Sequence, residues 1–139
     1  MAFVIDASVT LAWCFEDEVT SSTDRLLFSL QSGDIATVPS HWPLEVLNGL
    51  LYAVRRQRIS NEKVTRFWGD LTALPIHIVP VNLNECPAIY DLAAQHGLTI
   101  YDAACLHLAH STGLPLATLD SELRNAATAD GLHLVDLQR

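Results

Sequence analysis

The order of apolar runs in this sequence predicts an α/β fold: a mainly parallel central sheet of about five strands, with helices on both faces. Three observations carry the prediction. Compact β-type runs alternate with longer stretches of helical period. Gly33, Pro39, Gly97, Gly113 and Gly131 punctuate the chain where one pattern gives way to the next. The chain has 139 residues, 50% of them hydrophobic, with no repeat, low-complexity stretch or linker, so residues 1–139 read as one domain able to bury its own core.

Phe3-Val4-Ile5 reads as the first strand, and Val9 to Phe15 as a helix begun after Ser8. Residues 21–31 place Leu26, Leu27 and Leu30 on one helical face, and Ile35-Ala36-Thr37-Val38 is the second strand, closed by Pro39. Pro43 stands where helices begin, and Leu44, Leu47, Leu50, Leu51 and Val54 repeat at helical spacing up to a basic end. Ser60 caps a further helix over 62–73, with Val64, Phe67, Trp68 and Leu71 on one side. Ile76-His77-Ile78-Val79 is the third strand, and a helix over 86–96 stops at Gly97. Residues 102–111 form an almost wholly apolar, buried helix. Leu116-Ala117-Thr118-Leu119 is the fourth strand, 121–129 the last helix, and His133-Leu134-Val135 a short fifth strand.

The charge is −8, from 8 Lys+Arg against 16 Asp+Glu, which argues against coating nucleic acid or an anionic membrane through overall charge. With 17% charged residues the chain is too apolar for intrinsic disorder. Three cysteines, Cys14, Cys86 and Cys105, fall at scattered spacings with no CxxC pair, so a disulfide framework is not expected and a reducing, cytoplasmic setting is. The first six residues lack the basic start of a secretory signal. The longest stretch free of Asp, Glu, Lys and Arg, Ala103 to Leu119, holds two histidines and the break Gly113-Leu114-Pro115, so it is not a membrane span.

Four acids stand near strand ends. Asp6 follows the first strand, Asp120 the fourth, Glu45 opens the helix after the second, and Asp102 opens the buried helix. In an open parallel sheet that is the edge where ligands bind. Helix capping and the helix dipole would account for any one of them. Gathered in one cleft they would repel by about 4 kcal/mol per pair at 4 Å and an effective dielectric of 20. A hard divalent cation such as Mg²⁺ removes that repulsion.

The segments Val4-Ile5-Asp6-Ala7-Ser8, Pro39 with Glu45-Val46-Leu47-Asn48-Gly49-Leu50, Thr99-Ile100-Tyr101-Asp102-Ala103 and Leu116-Ala117-Thr118-Leu119-Asp120-Ser121-Glu122-Leu123 resemble PIN-domain proteins, in particular VapC-type toxins of toxin–antitoxin modules. The resemblance runs in the family's order over essentially the whole chain. It implies an endoribonuclease dependent on Mg²⁺ or Mn²⁺, hydrolysing single-stranded or structured RNA. Its acidic quartet would be Asp6, Glu45, Asp102 and Asp120, with all four acting as catalytic residues and metal ligands, and 5′-phosphate and 3′-hydroxyl products are implied. It also implies a cognate antitoxin, a homodimer or toxin–antitoxin hetero-oligomer, and no membrane partner.

Around that quartet, Ser8 stands two residues after Asp6, either to position a ligand or to cap the first helix. Thr118 shares a strand side with Asp120, and Asn48 shares a helix face with Glu45 and is placed to hydrogen-bond it. Arg55, Arg56, Arg58, Lys63 and Arg66 put five of the eight cations within twelve residues, an RNA-backbone or partner patch or simply a solvated helix end. Trp68 is expected in the core, and Trp13 is the best candidate among the tryptophans for an exposed, stacking ring. His107 and His110 lack companions at zinc-site spacing and read as core or surface residues. No Ser/His/Asp or Cys/His order supports a protein nucleophile. A receiver-type phosphotransfer domain would need an Asp after the third strand, where Pro80-Val81-Asn82 stands. A non-catalytic RNA-binding or protein-interaction module is the alternative.

Overall fold

The first strand, β1 (Ala2–Ile5), sends Phe3 and Ile5 into one apolar core and Val4 into another. That two-residue alternation, apolar on both sides, belongs to a strand buried between two layers. The computed structural model describes residues 1–137 and builds both layers around one sheet. After β1 come α1 (Ala7–Cys14), α2 (Ser21–Gln31), β2 (Ile35–Pro39), α3 (Trp42–Arg55), α4 (Asn61–Thr72) and β3 (Ile76–Val79). A single 3₁₀ turn (Leu83–Glu85) then leads into α5 (Cys86–His96), α6 (Ile100–Thr112), β4 (Leu116–Ala117) and α7 (Ser121–Ala129).

The strands lie in the order β3-β2-β1-β4, every neighbouring pair parallel. Helices α1 to α4 supply one core, around Val9, Leu30, Val46, Leu50 and Leu71. Helices α5 to α7 supply the other, around Ile89, Leu106 and Leu123. The predicted helices-on-both-faces architecture is the one observed. At the crossing of α1 and α3, a Cβ on Gly49 would stand 2.6 Å from Leu11 Cδ1, so the bare backbone lets the two helices approach. Among the described residues no helix is long and apolar enough to cross a membrane.

The sheet has four strands rather than about five. The stretch 133–135 contributes only a single parallel bridge, Leu134 to Leu116. β4 itself stops at Ala117 because Thr118 and Ser8 take the next polar groups: Asp120 N–H donates to Thr118 Oγ1, and Leu119 N–H donates to Ser8 Oγ. Strand pairing is lost where side chains satisfy the backbone instead. Helix α1 starts at Ala7, not after Ser8, because Asp6 is its cap and accepts from Val9 N–H. Helix α6 starts at Ile100, with Thr99 as cap. Trp13 is half-buried rather than free for stacking, since its indole N–H donates to Thr23 O at 2.8 Å and its ring lies against the core. Trp68 lies against that same core as expected. The three cysteines are unpaired.

Candidate active site: an acidic cleft at the switch point of the sheet

From β1 the chain steps outward through β2 to β3, then returns to place β4 on the other side of β1. The carboxyl ends of β1 and β4 therefore frame the point where strand order reverses, the position at which parallel sheets open a crevice. Asp6 follows β1 directly, and Thr118 follows β4.

Asp6 is 4% exposed and held from both sides. Its Oδ1 accepts from Ser8 Oγ at 2.6 Å, and its Oδ2 accepts from Thr118 Oγ1 at 2.5 Å. Burial pushes its pKa up to about 6, against the pull of these hydroxyls and of Val9 N–H, and the nearby Asp102 adds to the rise. Beneath it Cys105 is buried, and burial with the Asp6, Glu45 and Asp102 charges drives its thiol well above the ordinary range. That thiol is no nucleophile.

A cavity of about 480 Å³ is lined by His41, Leu44, Glu45, Asn48, Thr99, Tyr101, Asp102 and Asp120. Three of the four sequence-predicted acids thus line one cleft, while Asp6 does not line it but is near enough to Asp102 to feel its charge. Glu45 reaches it from the first turn of α3, which begins three residues after β2 with Pro43 in its opening turn. Asp102 reaches it because Gly97 ends α5 in the left-handed conformation (φ 66°) and Thr99 then caps α6, accepting from Asp102 N–H. Asp120 caps α7, spending Oδ1 on Glu122 and Leu123 N–H. Burial raises the Asp102 pKa, and Asp120 and Glu45 raise it further.

Asn48 lines the cleft but is exposed, and no hydrogen bond joins it to Glu45 among the described residues. Sequence reasoning missed His41. Its Nε2 is buried, 3.2 Å from Glu45 Oε2 yet not aligned for a hydrogen bond, and its ring centroid lies 5.1 Å from that of Tyr101. The His-x-x-x-Glu spacing, which puts both on one helix face, was the available signal. Arg124 was missed too; its guanidinium donates to Thr118 O at 3.2 Å.

The basic cluster divides. Arg58 pairs with Asp17 at 2.7 Å and Glu18 at 2.8 Å and covers the Phe15 ring, while Arg56 lies over Tyr52. Arg55, at the last turn of α3, stands at the helix end opposite Glu45. His107 pairs with Glu85, and His110 shares Asp130 with His96, so both are structural as read.

Among the described residues no three His, Cys, Asp or Glu side chains form a ready-made metal cage. The donors are nevertheless hard oxygen donors, and among the described residues His41 is the only side chain lining the cleft that is able to carry positive charge. Mg²⁺ is characteristically held by one or two carboxylates, completed by water and substrate phosphate, rather than by an all-protein cage. The residues present fit such an ion.

Fold and cleft together define a parallel α/β domain with carboxylates converging at its switch point. The chain belongs to the PIN-domain family, which matches residues 3–129. It is 29% identical over 127 residues to Ribonuclease VapC3 of Pyrobaculum aerophilum, covering 88% of this chain and 92% of that protein. Ribonuclease VapC12 of Mycobacterium tuberculosis is 29% identical over 120 residues, covering 86% and 88%. Among solved structures, a Pyrobaculum aerophilum protein superposes with a TM-score of 0.70 at 21% identity, over 91% of this chain and 79% of that one. VapBC2 from Rickettsia felis, crystallised on a DNA fragment from its promoter, gives 0.65 at 16% identity, over 99% and 100%. These two share the fold.

Proposed function

We propose that this protein is a Mg²⁺- or Mn²⁺-dependent endoribonuclease that hydrolyses phosphodiester bonds of RNA, and that it serves as the toxin of a type II toxin–antitoxin pair in the cytoplasm. The observation that carries the reading is the convergence of Glu45, Asp102 and Asp120 on one cleft, with the buried Asp6 near enough to feel the Asp102 charge, in a PIN-domain chain whose relatives are named ribonucleases.

Asp6, Asp102, Asp120 and Glu45 would hold the cation. Bound there, it supplies charge neutralisation at the phosphate oxygens and a lowered pKa for the attacking water. Ser8 and Thr118 fix the Asp6 carboxylate through both oxygens and favour its ionised form against the cost of burial. Asp120 keeps Oδ1 on its own helix, which fixes the direction of its second oxygen. His41 Nε2 lies 3.2 Å from Glu45 Oε2 and, when protonated, offsets part of the charge of the acidic wall. Arg55, Arg56, Lys63 and Arg66 are the remaining candidates for RNA-backbone contact, because Arg58 is engaged by two carboxylates.

The partner is a cognate antitoxin, and the protein dimerises or joins it in a hetero-oligomer. Leu44, Leu51 and Tyr52 on α3 are 71%, 44% and 55% exposed, an apolar face suited to such docking. A panel of single-stranded and structured RNAs, incubated with Mg²⁺, Mn²⁺ or EDTA, tests the activity. Cleavage with either ion, none with EDTA, and 5′-phosphate ends are the expected results. Cleavage undiminished by EDTA overturns the metal-dependent reading.

A further inference from the structure

A second cavity, of about 590 Å³, adjoins the acidic cleft. It lies within the range of roughly 300–1,000 Å³ in which small-ligand sites fall. Ser40 and His41, the start of α5 (Cys86, Pro87, Ile89, Tyr90), the start of α6 (Ile100, Tyr101, Ala104), and Val81 with Leu83 enclose it. Among the described residues no carboxylate, lysine or arginine lines it. His41 and Tyr101 line both cavities and form the wall between them, rings tilted at 43°.

We infer that this pocket receives an unpaired nucleobase of the RNA strand whose phosphodiester lies in the acidic cleft. The inference rests on the nuclease reading of that cleft. A nucleotide joins a charged phosphate to an uncharged aromatic ring, and the two adjoining cavities offer that division: carboxylates suited to a cation and its phosphate in one, an apolar, aromatic-walled space in the other. Continuity through His41 and Tyr101 makes the two halves one site. Tyr101 is 58% exposed and Tyr90 is 66% exposed, so both side chains are accessible without unfolding anything. Aromatic side chains of this kind bind bases by stacking, which works only on bases freed from a duplex.

The test is binding, read separately from cleavage. A short oligoribonucleotide carrying 2-aminopurine is titrated with the full chain in EDTA and again in Mg²⁺, and abasic versions of the strand are compared position by position. The wild type is expected to quench the fluorophore at one position, and an abasic residue there is expected to weaken binding about tenfold. Tyr90→Ala and Tyr101→Ala should each abolish that positional penalty; the ring lost in each is largely exposed, and circular dichroism checks that folding is retained. RNA binding with no positional penalty overturns the base pocket while leaving the nuclease reading intact. A change of solution mass in Tyr90→Ala with the base effect unaltered assigns the pocket to a second copy of the chain and overturns it as well. Failure of the wild type to bind or cleave any RNA overturns the nuclease reading, and the pocket with it.

Discussion

Thr118 donates its hydroxyl to Asp6 Oδ2 at 2.5 Å across 112 residues of sequence, and Thr118 Oγ1 in turn accepts the N–H of Asp120 at 3.0 Å. One hydroxyl thereby ties the acid that follows β1 to the acid that caps α7. Thr118→Val keeps the shape and removes the donor. It should cost about 1–3 kcal/mol of stability, the usual range for stranding a buried polar partner. Thr118→Ser should restore most of it. Urea unfolding of the three proteins reads the difference, and equal midpoints for threonine and valine would contradict this role.

The raised pKa of Asp6 has a signed consequence. A carboxyl at 3.8 unfolded and about 6 folded binds more protons in the native state between those values, so stability falls as pH rises from about 4 to 6. The drop from this one group is up to about 3 kcal/mol, in the absence of divalent ions. Asp6→Asn should flatten that decline and be the more stable protein at pH 7 in EDTA. Denaturant midpoints recorded from pH 4 to 7 decide it; parallel curves for the two proteins count against a buried, destabilising charge.

Asp130 has the opposite sign. Burial pushes its pKa up, but bonds from His110 at 3.2 Å and His96 at 3.1 Å outweigh that and hold it below 3.8. Its stabilising contribution is present above pH 4 and disappears as the pH falls through the folded value. Asp130→Asn should destabilise at pH 7 by about 1–3 kcal/mol, while its unfolding midpoint changes less between pH 4 and pH 3 than that of the wild type. Thermal unfolding at three pH values suffices to check this.

The basic cluster makes a separable prediction. Arg58→Gln should leave RNA affinity within about twofold of wild type, because its charge is already offset by Asp17 and Glu18, and should change stability little, as exposed ion pairs do. Arg55→Gln and Arg66→Gln should weaken RNA binding and lower its salt dependence. A stronger loss from Arg58 than from the other two would reverse this assignment.

Much of this fold was legible because its periodicities are strong. The alternation of Phe3, Val4 and Ile5 between two cores, and the leucine spacing of α3, follow from burial alone. The short β4 and the missing fifth strand were not legible, since Leu116 to Leu119 is as apolar as any strand. What shortens it is Ser8, more than a hundred residues away, accepting the Leu119 N–H. The acids were legible as helix starts after strands. Their division into three that line the cleft and one that is buried was not, because it depends on how deeply β1 lies between the layers. The burial of Trp13 was not legible because its partner, Thr23 O, belongs to a helix whose position no local pattern fixes.

The −8 charge that argued against nucleic acid is concentrated, in part, where a cation would meet phosphate. The central claim is that Asp102 and its neighbours form a cation-dependent cleavage site. The most direct measurement is the initial rate of cleavage of one RNA against Mg²⁺ concentration, for the wild type and for Asp102→Asn at equal fold content. The wild type should show a saturable, EDTA-reversible rate, and Asp102→Asn should fall at least about a hundredfold, as loss of a group stabilising transition-state charge does. Equal rates for the two proteins would contradict the account.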